Sequence, residues 1–252
     1  MSTPIKAVSF DLWDTLVEDD SDEPKRKAKG LRSKFEERRH LLWDTLNRID
    51  PIAPELVNAA FDAADAAFNK AWKDHAITWK IADRVARALM ELGRSLPGED
   101  LARLADDLGR MEVDIPPDPI DGVSEALEEL SARYKLCIVS DAIVTPGEGL
   151  RQMLDGHGLK KYFDGFAFSD EVDHSKPHAD MFNSAARQLG VDLREMVHIG
   201  DRDHNDIKGP QGLGMKAVLF TATRDDDKDS TTADAICERY ADLPGILEGL
   251  TR

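Results

Sequence analysis

Two cysteines in 252 residues, Cys137 and Cys237, leave no disulfide framework to build on. Each lies in a short apolar segment away from any metal-ligand spacing, so both read as buried, reduced thiols rather than zinc ligands or nucleophiles. Cations are outnumbered: 33 Lys and Arg against 49 Asp and Glu give a net charge of −16. That balance argues against a nucleic-acid partner, which needs clustered cations on one face. No apolar run approaches the roughly 20 residues that span a bilayer, and the start, Met1 to Lys6, shows no apolar leader. These absences point to a cytoplasmic chain, a monomer or homodimer, with no membrane partner. What is present is 41% hydrophobic content, enough for one substantial core, or one core plus a smaller lobe.

Short runs rich in Val, Ile and Phe recur at Ile5–Phe10, Lys135–Ser140, Phe166–Phe168, Met196–Ile199 and Lys216–Phe220. A weaker sixth, Asp234–Cys237, precedes a closing helix over Leu243–Leu250. Strands alternating with helices predict an α/β fold with a parallel sheet covered on both faces. Between the first two strands the pattern is helical. Phe35, Leu42, Leu46 and Ile49 form one stripe, and Leu56, Ala60, Ala63, Ala67 and Ala71 a small-residue face. Ile81, Val85, Ala88, Leu89 and Leu92 form a third, and Leu101, Leu104, Leu108 and Met111 a fourth. We therefore expect a core over 1–17 and 115–252 and a helical-bundle insert over 18–114, with Glu18–Pro24 and Asp114–Pro119 as hinges, the first a solvated acidic linker.

Four segments carry groups with chemistry, and all fall where open α/β sheets keep their sites, at the carboxyl ends of strands. The first strand runs into Asp11, Trp13, Asp14, Thr15 and Leu16, and the second into Ser140 and Asp141. Ser175-Lys176-Pro177 precedes a helix, and the fourth strand runs into Gly200-Asp201, followed by Arg202, Asp203, His204 and Asp206. Taken singly, each reads as a cap or as punctuation. Together they supply what attack on phosphorus needs. Asp11 is the candidate nucleophile, forming an aspartyl phosphate. Mg2+ favours oxygen ligands and keeps several waters, so Asp11 and Asp201 suit it, with Asp206 behind them or as an alternate ligand. Lys176 supplies a point charge, and the Ser140 hydroxyl a neutral donor to a phosphoryl oxygen.

These segments resemble the haloacid dehalogenase superfamily, in order and over nearly the whole chain: Asp11 with Thr15-Leu16, Ser140, Lys176-Pro177, and Gly200-Asp201 with Asp206. The resemblance implies a Rossmann-like core, a mobile helical cap formed by the insert, and a Mg2+-dependent hydrolase, usually of a small phosphorylated metabolite. It also implies that the Trp13 main-chain carbonyl is a metal ligand.

Phosphatases of that superfamily place a second Asp two residues after the nucleophile as general acid and base, and here Trp13 stands there. Losing a general acid costs roughly 10² to 10⁴ in rate, about 3 to 5.5 kcal/mol. The reading is therefore a phosphatase for substrates with good leaving groups. Asp14 is next in sequence, but adjacent side chains on an extended backbone point to opposite sides, and His204 reads as a solvent-facing loop residue. Two alternatives stay open. A 2-haloacid dehalogenase-like hydrolase needs no acid and tolerates an aromatic residue at Trp13, although Asp201 without a metal would work against Asp11. A weakly active or non-catalytic member would bind a phosphorylated ligand or a protein.

Asp141, where the family often has Asn, must face away from a phosphate or meet a cation. Thr145-Pro146-Gly147-Glu148 reads as a capping box. Trp72, His75, Trp79 and Arg84 read as bundle core, Asp173, His174 and His178 as surface loop, and Arg202 as an exposed ion-pair partner.

Overall fold

Strands form at the runs rich in Val, Ile and Phe, and every pair of them in the sheet is parallel. The computed structural model describes residues 4–250; residues 1–3, which carry half of the stretch read as leaderless, and 251–252 lie outside the described residues. β1 (Ala7–Phe10), β2 (Lys135–Ser140), β3 (Gly165–Phe168), β4 (Met196–Gly200), β5 (Lys216–Phe220) and β6 (Ala235–Cys237) stand in the order β3-β2-β1-β4-β5-β6. All four residues of β1 are buried, as a strand covered on both faces requires. Ala7, Cys137, Val139 and Ala167 pack against Met181, Phe182, Ala185 and Leu189 of the helix Ala179–Leu189. Each large apolar side chain so buried contributes about 1.5–3 kcal/mol. Because β1 has β2 on one side and β4 on the other, the order switches at β1, and the carboxyl ends of these three strands frame a crevice.

The chain divides into two compact units. The sheet unit runs to Asp19, resumes over Pro117–Asp141 and continues from Leu154. No helix among the described residues is long and apolar enough to cross a membrane. Cys137 and Cys237 are buried free thiols. Burial pushes both up, Cys237 to about 11 and Cys137 further, so neither is a thiolate near neutrality.

The helical unit comprises Asp20–Pro116 together with Ala142–Met153. Helices Lys34–Ile49, Pro54–His75, Ile81–Glu91 and Gly98–Gly109 enclose Leu42, Leu46, Val57, Phe61, Val85, Leu89, Leu104 and Leu108. Two of the expected stripes are misplaced. Phe35, Ile49 and Leu56 are exposed, and the second helix buries Val57, Ala60, Phe61, Ala64 and Phe68 rather than its Ala63–Ala71 row. Phenylalanine and valine remove more apolar area from water than alanine does, and they set which face turns inward. Phe35 instead stacks under the Arg39 guanidinium, 3.5 Å from its ring centroid. Arg84 is buried as expected, paired with Asp65 at 2.5 Å and donating to the Ile143 carbonyl at 3.0 Å.

The acidic run at Glu18–Pro24 is a solvated linker only in part, with Glu18, Asp19, Asp20 and Pro24 exposed. A helix, Asp22–Ala28, begins inside it, and Asp22 is fully buried. Lys34 Nζ lies 2.8 Å from Asp22 Oδ1, 3.1 Å from Glu112 Oε1 and 3.1 Å from Asp20 Oδ1, and Glu112 Oε2 accepts the Thr145 hydroxyl at 2.7 Å. Burial by itself would lower the Lys34 ammonium; Glu112 and Asp22 outweigh it and hold it well above its ordinary range.

Candidate active site

Phe10 is paired with Ile138 on one side and Ile199 on the other, so Asp11 leaves the sheet at the crevice, its N–H donating to the Ile199 carbonyl at 2.8 Å. Asp201 follows Gly200, the last residue of β4, and Asp206 sits in a π-helical turn over Asp203–Lys208. The structure brings Asp11, Asp201 and Asp206 together, each offering a carboxylate oxygen within 4.8 Å of the others, and all three are buried.

Lys176 joins two of the three. Its Nζ lies 2.7 Å from Asp11 Oδ1 and 2.6 Å from Asp206 Oδ1. Burial alone would lower this ammonium, but Asp11, Asp206 and Asp141 outweigh it and keep it charged far above neutrality. Asp206 is fully engaged: Oδ1 also lies 3.2 Å from His198 Nε2, and Oδ2 accepts the Arg202 N–H at 3.0 Å. Burial opposes its ionisation, yet Lys176 and His198 hold its carboxyl well below the usual range. Gly200 makes the approach feasible, because a Cβ there would lie 2.4 Å from Asp206 Cγ.

Asp201 contrasts with Asp206. Neither of its carboxylate oxygens finds a hydrogen bond among the described residues, and the cations near it, Arg202 and Arg224, stand off at 3.7 Å and 4.0 Å. Its carboxyl is pushed up to about 8, first by burial, then by Asp11 and Asp206. A buried carboxylate in that state is costly until a cation reaches it, and a set of hard oxygen donors fits Mg2+. The Ser140 hydroxyl, at the end of β2 and fully buried, likewise has no partner among the described residues.

Trp13 lies in a tight turn whose amide bonds from Asp14, Leu16 and Val17 are accepted by the carbonyls of Leu12 and Val17. Its indole Nε1 donates to the Asp141 carbonyl at 3.2 Å. The Asp141 carboxylate is engaged by the backbone, its Oδ1 accepting the Lys176 N–H at 2.9 Å. One expectation fails at Asp14. The backbone there is left-handed, φ 54°, not extended, and the side chain accepts the Asp19 N–H at 3.2 Å. Burial leads the effects that raise the Asp14 carboxyl above its ordinary value.

His204 and Arg202 are exposed. His174 and His178 stack with ring centroids 3.7 Å apart and planes 7° from parallel, each near Asp180 Oδ2. His178 Nδ1 accepts the Asp180 N–H as a helix cap, so that nitrogen is already engaged and we read no metal site there. Sequence reasoning missed His198, which links Asp206 to the Ser9 hydroxyl at 2.9 Å, and Tyr240, whose hydroxyl donates to the Thr15 carbonyl. A lone histidine inside the apolar β4 run was a signal for the first; nothing marked the second.

A family model described as haloacid dehalogenase-like hydrolase matches residues 5–214. The chain belongs to the haloacid dehalogenase-like hydrolases. Within curated members it is 32% identical over 111 residues to the glyceraldehyde 3-phosphate phosphatase of Methanopyrus kandleri, covering 43% of this chain and 48% of that protein. It is 34% identical over 113 residues to the pyrophosphatase PpaX of Halalkalibacterium halodurans, 44% of this chain and 50% of that one. The chain thus spans about half the length of the curated relatives it matches. Among solved structures, a 2-haloacid dehalogenase from Pseudomonas syringae pv. Tomato DC3000 superposes with a TM-score of 0.67 at 21% identity, over 97% of this chain and 99% of that one. This haloacid dehalogenase-like fold is what the last likeness shows.

Proposed function

We propose that this family member is a Mg2+-dependent phosphatase of small phosphorylated metabolites, in which Asp11 attacks phosphorus to form an aspartyl phosphate that water then cleaves. The observation carrying the reading is Asp201: a buried carboxylate beside Asp11, both of whose oxygens find no hydrogen bond among the described residues, offers donors of the kind a divalent cation takes. Asp11, Asp201 and the Trp13 carbonyl would hold the ion, which when bound offsets the charge of the carboxylates and the phosphoryl group. Asp206 stays with Lys176 and His198, so its part is to orient Lys176 rather than to serve as a ligand. Lys176 neutralises Asp11 and a phosphoryl oxygen, and the Ser140 hydroxyl donates to another. The relatives named as phosphatases support this chemistry over halide displacement. The helical unit corresponds in this reading to the family's cap.

The Trp13 side chain is bound to the Asp141 carbonyl and provides no acid, so the favoured substrates are those whose leaving oxygen departs unprotonated, such as acyl phosphates and diphosphates. Phosphate esters, acyl phosphates, diphosphates and 2-haloacids assayed with Mg2+ and with chelator test this. Turnover of the phosphoryl compounds that disappears in chelator is expected. Halide release that persists in chelator would overturn it.

A further inference from the structure

The loop between β5 and β6 touches both acidic turns of the site. Thr223 Oγ1 donates to the Asp14 carbonyl at 2.7 Å, three residues past the nucleophile. Arg224 donates to the Asp201 carbonyl at 3.0 Å and is itself held by Asp227 at 2.8 Å and Asp226 at 3.0 Å. The same Asp227 oxygen accepts the Asp203 N–H at 3.1 Å, and Thr231 donates to the Asp203 carboxylate at 2.7 Å. Four bonds therefore join this one loop to the turns that carry Asp11 and Asp201.

We infer that Thr223 and Arg224 are positioning residues that set the spacing of the Asp11 and Asp201 turns and thereby the affinity for the divalent cation. The inference rests on the metal reading above. Both bonds end on main-chain carbonyls, so they fix the turns without occupying the carboxylate oxygens a cation needs. Groups that orient metal ligands from behind typically govern affinity by about 10- to 100-fold.

Charge and position make opposite predictions for Arg224. As a bare positive charge near Asp201 it would repel Mg2+, and its neutralisation would tighten binding. As a positioning residue, its loss weakens binding. Mg2+ titration calorimetry on the full chain, wild type against Arg224→Gln and Thr223→Val, separates the two, with melting curves in chelator confirming that each variant folds. We expect Kd to rise roughly tenfold in each variant while the metal-free melting temperature changes little. Unchanged or tighter binding by Arg224→Gln, or by Thr223→Val if the first variant does not fold, overturns the inference. A wild type that binds no Mg2+ overturns the metal reading and this inference with it.

Discussion

Asp201, with two like charges beside it and no bonded donor, makes the metal-free protein sensitive to pH in an unusual direction. Its ordinary value is 3.8 and its folded value about 8, so between these the folded chain keeps a proton that the unfolded chain has lost. Stability then falls as pH rises through that window, and the penalty is complete above it. Asp206, held low, contributes in the opposite sense: its stabilisation is present above about 4 and is lost only as pH falls below that. In chelator, Asp201→Asn should therefore melt higher than wild type by a margin that is larger at about pH 8 than at about pH 5, worth up to a few kcal/mol. A margin that does not change with pH would place the strain elsewhere. Asp14 gives a second test at this scale. Asparagine tolerates its left-handed backbone and keeps the oxygen that accepts the Asp19 N–H. If the chemistry proceeds without an acid, Asp14→Asn retains its kcat to within a few-fold; a drop of about 10² or more would assign Asp14 that proton.

At the scale of elements, the buried cluster around Lys34 ties the Asp22–Ala28 helix to the Lys34–Ile49 helix and to Glu112. Removing the cation leaves the fully buried Asp22 without its ion-pair partner and Glu112 with only Arg38 at 3.7 Å and the Thr145 hydroxyl, so Lys34→Ala should destabilise the protein by about 3–5 kcal/mol in urea denaturation. A loss under about 1 kcal/mol would return this stretch to the surface-charge class. This element also shows where the sequence was hard to read. Strand positions were legible because a buried parallel strand is a continuous run of Val, Ile and Phe, and the candidate site residues because Asp11 and Asp201 directly follow strands, Ser140 ends one and Lys176 stands just ahead of a helix. Asp22 was misread because its cation, Lys34, stands 12 positions away and Glu112, which shares that cation, a further 78 positions on, which local charge density cannot reveal. The faces of the first two helices were misjudged because exposed Phe35 and Leu56 share the spacing of buried neighbours. The turn at Asp14 was taken as extended because one positive φ leaves little trace in sequence when an aspartate adopts it.

For the whole molecule, a net charge of −16 means self-repulsion at low ionic strength. Raising salt from about 20 mM to about 0.5 M shortens the screening length from roughly 20 Å to roughly 4 Å. The melting temperature in chelator should rise across that range with a non-coordinating salt such as KCl, and a fall would show that favourable ion pairs outweigh the repulsion. The division of the chain has a consequence for anyone who grafts one member's helical unit onto another's sheet. That unit is not a single insertion: Ala142–Met153 belongs to it, supplying the Ile143 carbonyl to Arg84 and the Thr145 hydroxyl to Glu112. A chimera that transplants 20–116 alone would carry an arginine and a glutamate matched to a foreign loop, whereas one that moves both stretches keeps its donors and acceptors in register. The portable module here is two pieces of chain, and recombination breakpoints belong on both sides of each.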